Sequence, residues 1–570
     1  MPCLLGQRPL YLFGPILLIA THFVFLACFF SSAVSTPDAN SYLTQARTLA
    51  HSATTSVAPE SPLQYLGPHY AASPNGRYYC AHPPGLSAML AIPYRLLGPE
   101  RALFLNPFLC ALSLVGLLLL GRRWLGEKLA IVPVALMIVN PFFNEHAHFA
   151  DAHAAVCFLL IWSMRCLERL ANAPSIVIGL AAGFLAGMLP AVRYAEAAYL
   201  PALVCFSLSR LREDRSDRKA LWAAAAAAAA PIAALGARNQ LAYGAFWRTG
   251  YAAAEGGALF SAEAFLRNAP SFLAQLPSRG AGFTFPLGVA AIAWMCARRQ
   301  TRRRGLLLAG IAAPSTILYI SYYWPPDPQS MRFLLPTFFL YALASARLLR
   351  AAARSVPLNG RVAAAALLIL QALWGLPMSL RAMDMLQRQT LPIAQLSDGL
   401  ADRVPRGSLL IVPGILAQNL DGIGRWRLID SALVEPRSAR LPAPAPMNPD
   451  GENESDLVPP TPTPLSTPRL DRYAGLPERQ RLAAFSADVW EWAGRARKVY
   501  WVTTHAEREA LQALLPRGQT LHVVARLDPA GSFPAWRRFT RRTRPEPPNL
   551  VELMRESRGE DVPILAEWTR

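Results

Sequence analysis

Apolar runs long enough to cross a bilayer recur from residue 9 to about residue 378, and then stop. A spanning helix needs about 20 mostly apolar residues. Eleven segments fit: 9–34, 102–121, 129–145, 150–168, 175–190, 193–209, 220–237, 282–297, 305–323, 332–350 and 361–378. The first is too long for a signal-peptide core, and ten more follow it. Ser31-Ser32-Ala33, which imitates a cleavage site, is therefore read as retained. Two stretches between spans are long, 35–101 and 238–281, and loops of that size tend to be functional. Within the first, the apolar run 86–97 is too short to span and reads as a re-entrant or interfacial helix. The Ala run 223–230 reads as a spanning helix with small packing residues.

Past residue 378 the pattern changes to that of a soluble tail, 379–570. Residues 408–413 read as a strand, 477–495 as a helix, 498–504 as a strand, 505–515 as a helix and 521–527 as a strand. That alternation predicts a small α/β unit. The Pro-, Ala-, Ser- and Thr-rich stretch 436–470 reads as an irregular linker, and 529–570 as poorly ordered. Asn453-Glu454-Ser455 forms a sequon, of a kind common by chance.

Arg and Lys set the orientation. With the N-terminus in the cytoplasm, the six cytoplasmic segments hold twenty of them, and the three short turns on the other side hold two, Arg193 and Arg332. An odd number of spans then puts the tail outside. The expected fold is a polytopic α-helical membrane protein of about eleven transmembrane helices, N-in and C-out, over 1–378, with a small extracytoplasmic α/β domain behind it.

Composition agrees. Apolar residues make up 53% of the 570 and charged residues 16%, against about 25% charged in soluble chains. The net charge of +19 raises nucleic-acid binding. Only Lys128, Lys219 and Lys498 are lysines, and the Arg excess sits in cytoplasmic loops, so no nucleic-acid partner is expected. The eight cysteines form no CxxC pair, which supports neither a disulfide framework nor a cysteine zinc site.

Candidate chemistry lies on the expected outer face. Asp38 follows the first span, where a carboxylate can act as a general base or start the helix that follows as its cap. Asp151 lies in Asn144-Glu145-His146-Ala147-His148-Phe149-Ala150-Asp151-Ala152-His153. His148 and Asp151, three apart, can share a helical face, and Asp151 can meet Glu145 or His146 if the turn folds back. Such ligands suit Mn, Mg or Zn, while the plainer reading has Asp151 capping the fourth span. Asn75-Gly76-Arg77-Tyr78-Tyr79-Cys80-Ala81-His82-Pro83-Pro84-Gly85 is either a rigid turn or a cleft wall lined by Tyr78, Tyr79 and His82. Arg332 opens the tenth span, placed to hold a lipid phosphate or to snorkel to headgroups. Arg193 is a second such cation, with Glu196 one turn on.

The order and sidedness of these residues, through Arg193-Tyr194, Arg238-Asn239, Tyr243-Gly244 and Arg332-Phe333-Leu334-Leu335-Pro336, resemble the GT-C superfamily of membrane glycosyltransferases. The nearest groups are the protein-mannosyltransferase and aminoarabinose-transferase relatives of family 39. The resemblance covers about residues 9–378. It implies a polyprenyl-phosphate sugar donor in the membrane and an inverting transfer to an acceptor hydroxyl outside; separately, the Arg, Ala and Pro bias and the lack of a eukaryotic targeting signal favour a bacterial inner membrane. The resemblance implies Asp38 as base, Asp151 near a metal or the acceptor, and Arg332 on the donor phosphate. A divalent metal, Mg or Mn, is an expected cofactor, with Asp151 and His148 as ligands. There are departures from the family pattern. Ala39 stands where many members have Glu, His82 stands before Pro-Pro-Gly where a Lys or another basic or aromatic residue is frequent, and the His-rich turn is not a family feature. Two other classes compete: a transporter, which predicts repeats and broken helices at mid-bilayer, and a non-catalytic polyprenyl-lipid-binding protein.

Overall fold

The computed structural model describes residues 8–34, 36–170, 172–211, 218–255, 259–323, 328–355, 360–434, 473, 475–494, 497–527 and 563–570. The expected linker 436–470, the sequon at Asn453 and residues 529–562 lie outside the described residues.

Helix α1 (Arg8–Phe29) leads to α2 (Pro37–Ser52). A three-stranded antiparallel sheet follows: β1 (Ser56–Val57), β2 (Tyr70–Ala72) and β3 (Tyr78–Cys80), in the order β1-β3-β2. Gly76 takes the left-handed φ of 74° that the tight β2–β3 turn requires. Then come α3 (Gly85–Leu97), α4 (Pro99–Ala102), α5 (Leu105–Leu125), α6 (Ile131–Ile138), α7 (Pro141–His146), α8 (Ala152–Leu170), α9 (Ile176–Val192), α10 (Leu200–Leu211), α11 (Arg218–Tyr243), α12 (Gly250–Glu255), α13 (Ala262–Gln275), α14 (Thr284–Ala297), α15 (Arg302–Ile320), α16 (Leu335–Ser355) and α17 (Gly360–Ala401).

Among the described residues, four helical stretches are long and apolar enough to cross a membrane by length and composition: Pro99–Leu125, Arg218–Tyr243, Gln329–Ala352 and Val362–Ala401. A fifth is counted if Ala262–Gly280 and Thr284–Ala297, bent by 109°, form one broken span. Phe13–Phe29, Gly85–Leu97 and Ile176–Val192 are shorter apolar helices. Helix occurs in each of the eleven expected segments, but not always as one rod. The segment 129–145 breaks between α6 and α7, because Asn140 caps α7 through the Phe143 N–H at 3.0 Å and Pro141 follows it. The segment 193–209 starts as a 3₁₀ turn, Tyr194–Tyr199. Helix α17 does not stop at 378 but runs on to Ala401.

The tightest pairing joins α9 to α11. A Cβ on Gly179, Gly183 or Gly187 would collide with the backbone carbonyl of Ala220, Ala224 or Ala228. Small residues every fourth position let two membrane helices touch backbone to backbone, and dispersion rather than water expulsion holds them. Gly183→Leu must therefore part α9 from α11. The expected loss is about 1–3 kcal/mol, seen as a lower unfolding temperature in detergent. Gly14→Leu, at a position with open space around it, is expected to leave that temperature unchanged.

The helices have two chemically distinct ends. At one, fully buried Glu168 accepts from the Trp124 indole N–H at 3.0 Å and the Arg304 Nε at 2.8 Å, and Arg350 bonds the Trp124 carbonyl. At the other end of the same α5 and α8, Asn106 donates to the Asp151 carbonyl at 2.9 Å. Eighteen residues of α5 separate Asn106 from Trp124, roughly 27 Å at 1.5 Å per residue.

The tail contains a five-stranded sheet. Strands β4 (Leu409–Val412), β5 (Arg427–Asp430), β6 (Val499–Thr503), β7 (Thr520–Arg526) and β8 (Ile564–Thr569) lie in the order β5-β4-β6-β8-β7. Strand β4 runs parallel to β5 and β6, and β8 is antiparallel to β6 and β7. Helices α18 (Gly414–Asp421), α19 (Glu478–Ala493) and α20 (His505–Leu514) accompany it. The chain end corrects an expectation: 564–569, read as poorly ordered, fills the gap between β6 and β7 and buries Ile564, Leu565, Ala566 and Trp568.

The tail grips the first loop. Asn40, Thr44 and Arg47 lie on one face of α2, toward α18. Thr44 donates to the Asp421 carboxylate at 2.9 Å, Arg47 to its carbonyl, and Asn40 to the Gln418 carbonyl. The Tyr94 hydroxyl reaches the Gly422 carbonyl at 2.9 Å. These bonds tie down the helix that begins at Asp38.

Candidate functional site

Thr36, not Asp38, caps α2: its Oγ1 accepts the Ala39 N–H at 3.2 Å. Asp38 therefore sits at the second helical position, where the helix dipole favours a negative charge, and its carboxylate is spent on no backbone bond that the structure records. Its side chain is 41% exposed. Two imidazoles close on its Oδ1, with His69 Nε2 at 3.0 Å and His82 Nε2 at 3.4 Å. Burial alone would push the Asp38 carboxyl up, but the two imidazoles outweigh it and hold the carboxyl well below the usual range.

His82 is the more constrained of the two rings. It is buried, its Nδ1 lies 2.7 Å from the Tyr251 hydroxyl, and Tyr42 stacks on it at 4.7 Å and 20°. Burial pushes its pKa down, against the opposing pull of Asp38. Pro83-Pro84 fixes the chain after it, and α3 starts at Gly85. Gly250 lies against the Ala81 backbone too closely for any Cβ, which brings Tyr251 up to the ring.

A second cluster lies beside the first. Asp151 caps α8 by accepting the His153 N–H at 3.1 Å, and its other oxygen meets His146 Nδ1 at 2.6 Å. His153 Nε2 is 4.0 Å from that same oxygen. Arg193 Nη1 lies 3.0 Å from His153 Nδ1. A guanidinium only donates, so His153 Nδ1 is the acceptor and Nε2 carries the proton, pointed toward Asp151. The chain His146–Asp151–His153 thus orients Arg193. Glu196, fully buried, also holds Arg193 at 3.4 Å and accepts from Tyr319 at 3.0 Å.

Two cations converge on one ring. The Arg193 guanidinium lies 5.1 Å from the centre of Phe333 and that of Arg332 lies 4.7 Å from it. Tyr319 stacks on Phe333 at 5.0 Å. The charges of Arg193, Arg332 and Asp38 all reach His153, so the two clusters and the two arginines form one neighbourhood. Such a site can deprotonate a hydroxyl and hold an anion a short distance away.

One expectation needs correction. His148 does not join Asp151: its ring tilts toward Phe30 at 6.4 Å and neither nitrogen has a partner. Three residues on from Asp151 in the other direction, the helix start turns His148 away, and the turn folds His146 back in its place. Tyr78 and Tyr79 are held by packing contacts. Tyr78 packs on Leu66, Tyr70 and Cys80, and Tyr79 on Ala242, Tyr243 and the Arg238 guanidinium. Arg238 and Tyr243 both bond the Cys80 carbonyl, knitting the first loop to α11. Sequence reasoning missed His69, Tyr42, Tyr251 and Tyr319. None stands in a motif, and His69 lies among loop residues with no local pattern.

Among the described residues, two groups of histidine and aspartate present ligand atoms within 4.8 Å of one another: Asp38, His69 and His82, and His146, Asp151 and His153.

Comparisons with known proteins follow the same lines. Residues 81–236 match the dolichyl-phosphate-mannose-protein mannosyltransferase family. A comparison with curated proteins found no match. Among solved structures, the chain is similar to ArnT from Cupriavidus metallidurans bound to undecaprenyl phosphate, with 13% identity, a TM-score of 0.57 and 97% of each chain covered. The apo state of that protein gives 14% identity, a TM-score of 0.55 and the same coverage. At such identity the likeness speaks for the fold, and it extends over the helical bundle and the tail together. The protein is a polytopic helical membrane protein that shares its fold with ArnT, and residues 81–236 within it match the dolichyl-phosphate-mannose-protein mannosyltransferase family.

Proposed function

We propose that the protein transfers a sugar from a polyprenyl-phosphate donor to an acceptor hydroxyl on the extracytoplasmic face of a membrane. The observation that carries this reading is the pairing of Arg193 and Arg332 against one Phe333 ring, in the neighbourhood of an exposed carboxylate, Asp38. Two like charges held together favour an anion between them, and a lipid phosphate entering from the bilayer is such an anion. The fold shared with ArnT, solved with undecaprenyl phosphate bound, supports the choice of lipid.

Asp38 accepts the proton of the acceptor hydroxyl. That oxygen attacks the anomeric carbon, and the carbon–oxygen bond to phosphate breaks with its electron pair going to the phosphate. Arg193 and Arg332 hold the charge that develops there, so the leaving group needs no proton. One displacement inverts the anomeric carbon. The His146–Asp151–His153 chain keeps Arg193 aimed. The tail, bound to α2 through Asp421, shapes the approach of the acceptor. The Arg-rich end, with Arg122, Arg123 and Arg304, faces the cytoplasm of a bacterial inner membrane by the positive-inside rule.

The test is donor turnover. Full-length protein in detergent is offered labelled polyprenyl-phosphate sugars, and release of polyprenyl phosphate is followed. Release from one donor class supports the reading and names the sugar. No release from any donor, by protein shown to be folded, sinks it.

A further inference from the structure

We propose that Asp38, His69 and His82 form a binding site for a divalent cation of the zinc class. The role of that ion rests on the transferase reading, but its binding does not.

Three donor atoms, one carboxylate oxygen and two imidazole nitrogens, already lie within 4.8 Å of one another. Both imidazoles present Nε2 to the same Asp38 oxygen, at 3.0 and 3.4 Å. His82 is 3% exposed, and its Nε2 is buried without a hydrogen-bond partner although it points at Asp38. A buried polar atom left unbonded is destabilising, and a cation shared by the three donors satisfies it.

The surroundings of His82 fit a ligand. An imidazole bound to a metal through Nε2 usually donates its Nδ1–H to a neighbouring oxygen, which fixes both tautomer and ring orientation. Here the Tyr251 hydroxyl lies 2.7 Å from Nδ1, and Tyr42 stacks on the ring face. Three protein ligands with an open side describe a catalytic rather than a structural site, and the 41% exposure of Asp38 supplies the open side. Two imidazoles with one carboxylate suit zinc, manganese or iron; magnesium prefers an all-oxygen shell. The centre thus differs in ligands from the expected pair of Asp151 and His148.

The second cluster is the poorer site. Arg193 stands 3.0 Å from His153 Nδ1 and leaves the proton on Nε2, the atom a metal would need. A guanidinium at that distance also repels a cation. An ion at Asp38 would face the acceptor hydroxyl and ease the loss of its proton.

Metal uptake tests this without any substrate. Untagged full-length protein in detergent is stripped with EDTA, dialysed and titrated with Zn²⁺, and the bound metal is counted by mass spectrometry. One equivalent per chain is expected. His69→Ala and His82→Ala should each weaken it at least about 100-fold, and Tyr251→Phe about 10–100-fold. Asp151→Asn should bind as wild type does. His69 is partly exposed, so its variant serves if His82→Ala fails to match the unfolding temperature of stripped wild type. No zinc uptake by wild type, or uptake unchanged in folded His69→Ala, overturns the site. Loss in Asp151→Asn with retention in His69→Ala overturns it too, by moving the ion to the other cluster. Zinc uptake without donor turnover would leave the ion site standing and remove the transferase reading. Turnover in protein that binds no zinc would do the reverse.

Discussion

Asp38→Asn is expected to lower donor turnover about 10²–10⁴-fold, the usual weight of a positioned general base, while the protein stays folded. The substitution keeps shape and size. Thr36, the actual cap of α2, is untouched and still accepts the Ala39 N–H. The bonds that hold α2 against the tail come from Asn40, Thr44 and Arg47, none of which contacts the carboxylate of Asp38. The expected thermodynamic costs are loss of a negative charge near a helix N-terminus, about 0.3–1 kcal/mol, and loss of the ionised partner that His69 and His82 face. Polyprenyl-phosphate release and thermal unfolding, run on the same preparation, separate the two effects. A variant that turns over within a few-fold of wild type removes Asp38 from the reaction. A variant that unfolds makes it a structural residue instead.

The second large effect separates the two arginines. Arg332 is half-buried, and its guanidinium lies over the Phe333 ring. Arg332→Ala is therefore expected to cut turnover about 10²–10³-fold, the cost of one lost donor to a developing oxyanion, with little change in unfolding temperature. Arg193 is different, because fully buried Glu196 depends on it. Arg193→Ala removes a proposed phosphate ligand and also strands a buried carboxylate, which adds a stability cost of about 3–5 kcal/mol. Arg193→Ala with Glu196→Gln should recover much of the unfolding temperature but none of the turnover. Recovery of both would mean that Arg193 only balances Glu196. An Arg332→Ala enzyme with unchanged kinetics would leave the phosphate to Arg193 alone.

How much of the site could be read beforehand differs from residue to residue. Asp38 and Asp151 stand out in sequence because each follows or precedes an apolar run and is the acidic residue nearest its end. Whether each was a cap or a functional group could not be decided there. The structure splits the two cases: Thr36 relieves Asp38 of capping, whereas Asp151 caps α8 and also holds His146. His148 looked the better partner by spacing, three positions from Asp151. The turn between α7 and α8 reverses that choice, since helical spacing has no force across a turn.

The sequence by itself determined the membrane-embedded class of the chain, its two chemically unlike ends and the small packing residues of the Ala run 223–230. Each follows from local composition: twenty apolar residues need a bilayer, arginines stay on one side of it, and glycine or alanine admits a neighbouring backbone. Only the tertiary structure decided that His69, from an unpatterned loop, meets Asp38 and His82. It alone brought Arg193 and Arg332 to one ring, and Asp421 in the tail to Thr44 in the first loop. These partners lie far apart along the chain, and their meeting depends on how helices cross and how a loop packs back. Buried polar groups require partners, but that requirement does not say which ones, and no local window of residues does either.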